Sequence, residues 1–283
     1  MQLADDNTSR RSFSYIKSLY IVFLIIGLPL GASAQCAIEN KAFLPGEEIQ
    51  YELYFNWKFV WKKVGYGRFT THNIQYEGKP AYRINLLTST DGIVDRFFRM
   101  RDTLTSVMTH QLEPLYYRKA AYEGKNYYID EARFRYSDGK VYAQMTQVKN
   151  ITNFYKGDMQ SSQCIYDMLN IMARARSWNT RNFKQGQRIR FLMVDAEKVV
   201  NELLIYRGKE IVKSKDGQNY RCLVFSFYED KEDKRDKELI RFFITDDDNH
   251  LPIRLDMNLN FGSAKAFMSS VKNNRHPLTS RVK

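Results

Sequence analysis

The feature that most constrains the fold is a long series of β-rich segments separated by turn signals. Across residues 50–61, every second position carries an aromatic or aliphatic side chain: Tyr51, Leu53, Phe55, Trp57, Phe59 and Trp61. Such strict alternation predicts one long, half-buried strand. Glycine beside Asp or Glu then recurs between β-rich runs, as at Glu77-Gly78 and Asp138-Gly139. Because this pattern is typical of hairpins, we expect successive strands to pair antiparallel.

One segment in the middle of the chain has a helical pattern instead. Ser161 and Ser162 can cap a helix that ends near Trp178, and Met168 and Met172 share one of its faces. Further strands are predicted at residues 188–194, 198–206, 210–214, 220–228, 239–245, 253–260 and 264–270. The sequence therefore predicts a mainly β protein, a strongly curved antiparallel sheet or barrel of roughly 11–13 strands with one substantial helix. A two-sheet β-sandwich is the alternative.

The N-terminus has the order of features found in a secretory signal peptide. Basic residues precede a short apolar run at residues 19–30, and small residues stand at Ala32 and Ala34. We therefore predict a signal peptide at 1–34, one antiparallel β domain at 35–274 and a disordered tail at 275–283. No other segment is apolar enough to span a bilayer as a helix. We expect an exported protein, either periplasmic or peripherally associated with the outer membrane.

The chain contains three cysteines, which suits the oxidising compartment that export predicts. We predict a disulfide between Cys164 and Cys222, with Cys36 left over, although three cysteines allow three pairings. Lipidation of Cys36 is an alternative fate for that residue. It fits poorly, because Gln35 precedes Cys36 and Ser33 stands where lipoproteins usually carry leucine.

The chain is basic, with 44 Lys and Arg against 32 Asp and Glu and a net charge of +12. In a cytosolic protein this excess would suggest nucleic acid. Export argues against nucleic acid and makes an anionic lipid or glycan of the cell envelope the natural partner. A basic surface that serves only solubility is the simpler interpretation.

No catalytic motif, metal site or cofactor motif is found. The four histidines lack metal-ligand spacing, and Asp246-Asp247-Asp248 is interpreted as a tight acidic turn. A glycan hydrolase would need two carboxylates about 5–10 Å apart in a cleft. The acids considered for that role are Glu47, Glu48, Asp95 and Asp102.

The aromatic stripe of Phe55, Trp57, Phe59 and Trp61 is the candidate ligand-binding site. Packing in the core is the default explanation. If the sheet curves, the stripe could instead line an apolar cavity that holds a lipid-like ligand, whereas exposed rings would suit sugar stacking. We expect a non-catalytic envelope protein that binds an amphiphilic ligand. The alternatives are a hydrolase of envelope glycan and a structural partner of an outer-membrane assembly.

Several motifs spread in order over most of the chain carry a family resemblance. They are Phe43-x-Pro45-Gly46-Glu47, Tyr54-Phe55-Asn56-Trp57 with Gly65, Arg101-Asp102, Glu113-Pro114, Asp167-Met168-Leu169, Gly217 with Tyr220-Arg221-Cys222, Asp246-Asp247-Asp248 with Leu251-Pro252-Ile253, and Gly262-Ser263-Ala264-Lys265-Ala266. Together they resemble the domain of unknown function 3108 family of exported bacterial proteins, and the aromatic opening is similar to members from Bacteroidetes. The resemblance implies an exported, mainly β single domain and no known catalytic residues.

Overall fold

A computed structural model describes residues 36–57, 60–92, 94–97, 99–123, 126–229, 238–259 and 262–282. The predicted signal peptide lies outside these residues and stays a prediction. The strands are β1 Glu48–Trp57, β2 Val60–Tyr76, β3 Lys79–Thr90, β4 Met100–Thr109, β5 Pro114–Glu123, β6 Asn126–Ser137, β7 Lys140–Lys149, β8 Asn153–Ser161, β9 Ile165–Tyr166, β10 Arg188–Asp195, β11 Lys198–Lys213, β12 Asn219–Glu229, β13 Glu238–Thr245, β14 Pro252–Leu259, β15 Gly262–Lys272 and β16 Arg281–Val282. Helix α1 is the single turn Val94–Phe97, and helix α2 is Met168–Arg176.

The described strands form one continuous sheet in the order β8-β7-β6-β5-β4-β3-β2-β1-β15-β14-β13-β12-β11-β10-β9, with β16 paired to β12. Two meanders are thus joined where β1 pairs with β15. Neighbours are antiparallel except for β9 and β10, which are parallel. The predicted fold class, a strongly curved antiparallel sheet or barrel with one substantial helix, is confirmed, and a single sheet replaces the two-sheet alternative.

The two edges of the sheet come close together at β8. A Cβ atom added to Gly157 on β8 would lie 1.9 Å from the carbonyl oxygen of Glu197, in the turn between β10 and β11. Only glycine lets two backbones approach this closely. The sheet is therefore nearly closed at this point.

Helix α2 lies against the inner face of the curved sheet. Leu169 and Ala173 pack into the largest hydrophobic cluster, together with residues of β1 to β4 and of β12 to β15. Ile171 packs into a second cluster with side chains of β10 to β13. A third cluster, from β5 to β7, includes Ile165 just ahead of the helix. Cys222 and Val224 of β12 belong to the first cluster, whereas Leu223 and Phe225 belong to the second, so these two clusters lie on opposite faces of β12. The inner face is thus occupied by the helix together with the first and third clusters.

Polar contacts fix the same helix in place. Asp167 caps its N-terminus by accepting the N–H of Asn170 at 2.8 Å, and it also accepts the hydroxyl of Ser106 on β4 at 2.7 Å. At the other end, Arg176 makes two hydrogen bonds to the carboxylate of Glu47, at 2.6 and 2.9 Å. Both side chains of that ion pair are almost fully buried. The helix is therefore held by matched polar groups as well as by apolar packing.

The predicted disulfide pairing is wrong. Cys36 is bonded to Cys164, with 5.7 Å between their Cα atoms, while Cys222 is a free, buried thiol on β12. The reason is the path of the N-terminal segment, which runs along α2. Arg174 donates to the carbonyl oxygen of Cys36, and the amide of Lys41 donates to Ser177 Oγ at 3.2 Å. Cys36 is thereby brought to the residue that precedes β9.

The prediction of a disordered tail is wrong for residues 275–282. Ser280 is buried, and its hydroxyl donates to Asp247 at 2.6 Å. Arg281 and Val282 pair with Tyr220 and Asn219 on β12. The acidic turn at residues 246–248 explains why the tail has a defined conformation, because the carboxylate of Asp247 accepts a hydrogen bond from Ser280.

The predicted strand over residues 50–61 is two strands joined by a tight hairpin. Trp57 pairs with Val60 and Asn56 with Trp61, so the chain reverses between residues 57 and 60. Neither glycine nor asparagine stands between Trp57 and Val60, and the alternation therefore looks unbroken in the sequence. This reversal changes where the predicted aromatic stripe lies.

Candidate functional site

An open groove lies on the outer face of the sheet, across strands β1 to β4. Alternation along β1 places Tyr51 and Leu53 in the hydrophobic core, and it places Gln50 and Glu52 on the opposite, outer face. The groove has a volume of about 580 Å³. Its lining is Gln50, Tyr51, Glu52, Lys63, Tyr66, Gly67, Arg68, Leu87, Thr88, Ser89, Arg101, Asp102, Thr103 and Ser269. We call this site the outer groove.

The lining is rich in groups that form hydrogen bonds. Gln50 offers an amide, while Ser89 and Thr103 offer hydroxyls. Arg68 and Arg101 add two guanidinium groups, which can bind a carboxylate or a phosphate through paired N–H donors. Leu87 is the only aliphatic side chain in this lining. The groove therefore suits a polar, hydrated ligand better than a hydrocarbon chain.

Ion pairs hold two of the charged groups at the groove. Glu52 accepts from Lys63 Nζ at 2.7 Å, and this bond lowers the pKa of Glu52. Arg101 donates to both oxygens of Asp95, at 2.7 and 2.8 Å, which lowers the pKa of Asp95. Both carboxylates are therefore ionised near neutral pH, and each already forms an ion pair with a basic side chain.

Arg68 differs from those two cations. It is exposed on β2, and no described residue forms an ion pair or a hydrogen bond with its guanidinium group. Gln50 on β1 is its neighbour across the strand pair, and Leu87 on β3 is its neighbour on the other side. A fully charged group in the middle of the groove is thus available to an anionic ligand.

Aromatic rings with lysines over their faces continue the outer surface beside the groove. The Nζ of Lys265 lies 4.5 Å from the ring centroid of Trp61, and the Nζ of Lys215 lies at the same distance from that of Tyr54. Trp61 is on the same strand face as Lys63, two residues away, and is 38% exposed. Together these residues form a basic, aromatic surface next to the groove.

The predicted ligand stripe does not form one wall. Trp61 pairs with Asn56 and therefore lies on the same face of the sheet as Asn56. Phe55 precedes Asn56 on β1, so its side chain points to the opposite face. Phe59 and the side chain of Trp57 lie outside the described residues. The structure thus separates Phe55 from Trp61 and places Trp61 beside the outer groove.

Of the four carboxylates considered for hydrolysis, Asp102 alone lines the outer groove, where Glu52 is the second lining carboxylate. Glu47 is buried against Arg176, Glu48 accepts a hydrogen bond from Gln50, and Asp95 is paired with Arg101. Glycosidases need one carboxylic acid with a raised pKa beside a second carboxylate, whereas Glu52 and Asp95 have lowered values. Within the described ranges, no three His, Cys, Asp or Glu side chains come together as metal ligands.

The residues that make the outer groove were missed by the sequence analysis. Gln50 and Glu52 are the polar positions that alternate with the apolar residues of β1, and Asp102 was considered as a hydrolytic acid. The alternation itself carried the signal, since the polar positions of neighbouring strands in a meander share one face. Which of those positions form a concavity depends on the twist of the sheet, which a sequence does not show.

The fold and the groove define a class, a β-barrel-like protein with an open polar groove on its outer face. Residues 50–269 match the family described as protein of unknown function (DUF3108), and the chain belongs to that family. This confirms the resemblance drawn from the motifs. No curated protein matches the chain.

Six chains of solved structures match this chain, among them the following two. The first is a β-barrel-like protein of domain of unknown function DUF1849 from Brucella abortus, with a TM-score of 0.54 and 12% identity over 82% of this chain and 98% of that one. The second, from Bacteroides fragilis, has a YmcC-like fold and is proposed to be exported. It has a TM-score of 0.35 and 8% identity over 84% of this chain and 100% of that one. At such identities the first supports the fold alone, and the second supports no argument.

Proposed function

We propose that this protein is an exported, non-catalytic protein of the cell envelope that binds an anionic glycan in the outer groove. The observation that carries the proposal is Arg68, a cation without a described partner, set among amide and hydroxyl groups in an open groove. Sugars are recognised by such hydrogen-bonding groups, and acidic sugars also need a cation. Export rests on the predicted signal peptide at 1–34. Within the described part of the chain, no helix is long and apolar enough to cross a bilayer.

Trp61 extends the groove in the way that sugar binding requires. A flat, partly exposed indole can stack against a pyranose ring, and Lys265 above it can neutralise an acidic substituent. A lipid held inside the sheet is less well supported, because helix α2 and two hydrophobic clusters occupy its inner face. Hydrolysis is less well supported, because Glu52 in the groove and Asp95, the partner of Arg101, are both ion-paired and have lowered pKa values, which does not suit a catalytic acid.

Calorimetric titration with acidic oligogalacturonate tests the proposal. Arg68→Ala should raise the Kd about tenfold, because the variant loses the free energy of one charge-assisted hydrogen bond. Trp61→Ala should also weaken binding, and added salt should weaken it in the wild type. Arg181→Ala removes an exposed arginine outside the groove and is the matched control.

Neutral maltooligosaccharide of similar length serves as the second probe, because it can stack and form hydrogen bonds but lacks charge. We expect it to bind more weakly than the acidic probe. Equal binding of the acidic probe by wild type and Arg68→Ala would contradict the proposed site. Failure of the wild type to bind either sugar would contradict glycan binding itself.

A further inference from the structure

Exposed apolar side chains are concentrated at one end of the curved sheet. The antiparallel pairing places the turns β1–β2, β3–β4, β5–β6, β7–β8, β10–β11, β12–β13 and β14–β15 at the same end, which we call the upper end. Large exposed apolar residues at or next to these turns are Val60, Trp61, Ile151, Phe154, Tyr155 and Leu259. They belong to three hairpins: β1–β2, β7–β8 and β14–β15.

The β7–β8 hairpin is the most pronounced of the three. Ile151 is 73% exposed and Phe154 is 69% exposed, so neither side chain contributes much to the core. Ile151 also has a φ of +66°. A left-handed backbone is costly for a β-branched residue, and asparagine or glycine would relieve the strain. An isoleucine that is both strained and exposed does not stabilise this fold, so a role outside the fold is the better explanation.

Cations lie beside these apolar side chains on the β1–β2 and β7–β8 hairpins, while the acidic residues Asp195 and Glu197 of the same end lie at the β10–β11 turn. Lys156 and Lys62 are exposed within two residues of Phe154 and Val60, and Lys149 precedes the β7–β8 turn. Arg96 and Arg99 are exposed in the β3–β4 connection at the same end. Apolar tips alternating with lysine and arginine match the boundary between acyl chains and anionic headgroups.

We infer that the upper end docks on the surface of an anionic lipid bilayer, with Ile151 and Phe154 entering the interfacial layer. A protein partner fits less well, since the centre of a protein interface is depleted of lysine and needs a continuous apolar patch. Trp61 belongs to both surfaces, but Ile151 and Phe154 are not part of the outer groove, so docking through them can hold or fail independently of glycan binding.

Vesicle co-sedimentation of the mature protein tests the inference. The probes are vesicles of phosphatidylcholine alone and vesicles with equal parts of phosphatidylcholine and phosphatidylglycerol. We expect binding to the anionic vesicles, weakened by added salt and much weaker on the neutral ones. The double variant Ile151→Asn with Phe154→Ser should lower the partition coefficient about tenfold or more. Because asparagine tolerates the left-handed backbone, this variant should fold.

Ile211→Ser is the matched control. Ile211 is 69% exposed on β11, near the β11–β12 turn at the opposite end of the sheet. The Ile211→Ser variant should therefore bind vesicles as the wild type does. The inference is overturned if the wild type stays in the supernatant with anionic vesicles. It is also overturned if the double variant binds as well as the wild type, or if the control loses binding equally.

Discussion

Single buried polar side chains decide how firmly helix α2 is held. Arg176 and Glu47 join the C-terminal end of α2 to the residue before β1, and neither is exposed to water. Removing one member leaves the other as an uncompensated buried charge. Glu47→Gln should therefore lower the free energy of unfolding by about 3–5 kcal/mol, measured by urea denaturation.

Glu39→Gln is the control for that variant. Glu39 pairs with Lys41 at 3.1 Å on a well-exposed surface, where ion pairs contribute little. We expect no measurable change in its urea midpoint. If Glu47→Gln were as stable as Glu39→Gln, the ion pair would not be what holds the helix to the N-terminal segment.

The carboxyl group of Asp167 gives stability a specific pH dependence. Burial raises its pKa to about 7, against about 4 in an unfolded chain. The folded protein then binds more protons than the unfolded chain between these values, so this group makes the free energy of unfolding fall as pH rises from about 4 to about 7.

Asp167→Asn should remove that contribution while keeping a side chain that can cap α2. Urea denaturation at several pH values across this window compares the two slopes. We expect a flatter pH profile for the variant than for the wild type. Parallel profiles would mean that Asp167 titrates in the folded protein as it does in the unfolded chain.

At the scale of elements, the disulfide ties the N-terminal segment to the region just before β9 and α2. Cys36 and Cys164 are 128 residues apart, and a cross-link over so long a loop stabilises by about 5 kcal/mol in the chain-entropy model. Cys36→Ser should therefore lower the urea midpoint strongly. The same bond excludes lipidation of Cys36, because a thioether-linked lipid would need the same sulfur atom.

Peptide mass mapping without reduction checks the pairing. We expect one linked pair containing Cys36 and Cys164, and a Cys222 thiol that reacts with an alkylating reagent only after unfolding. Burial raises the pKa of Cys222 to about 12, which keeps it unreactive in the folded protein. A linked peptide containing Cys222 would contradict the structure, as would a lipid on Cys36.

The near closure of the sheet depends on one small residue between two edges. Gly157→Ala would place a methyl group against the backbone of Glu197, so one of the two elements must move. We expect a loss of about 1–3 kcal/mol in urea denaturation. Gly67→Ala is the control, because its added Cβ meets Tyr51 at an ordinary 3.5 Å. Equal effects of the two variants would mean that the edges of the sheet separate easily.

The whole molecule shows what alternation in a sequence can and cannot predict. The strand content, the helix and the family could be predicted, because hydrophobic periodicity and turn residues are local. The hairpin at residues 57–60 was missed because its turn lacks glycine and asparagine, and β8 because its side chains Phe154, Tyr155 and Met159 are exposed. The disulfide and the groove were missed because both depend on distant segments meeting: Cys36 with Cys164, and Arg68 with Arg101.

Glycan binding in the outer groove is the central claim for the whole molecule. Native mass spectrometry of the protein purified gently from its own cell envelope tests it most directly, with the Arg68→Ala variant prepared in parallel. We predict an extra mass on the wild type that is released on unfolding, fragments as an acidic sugar and is reduced on the variant. A wild type that carries no extra mass, or that carries a fatty acyl mass retained equally by the variant, would contradict the claim.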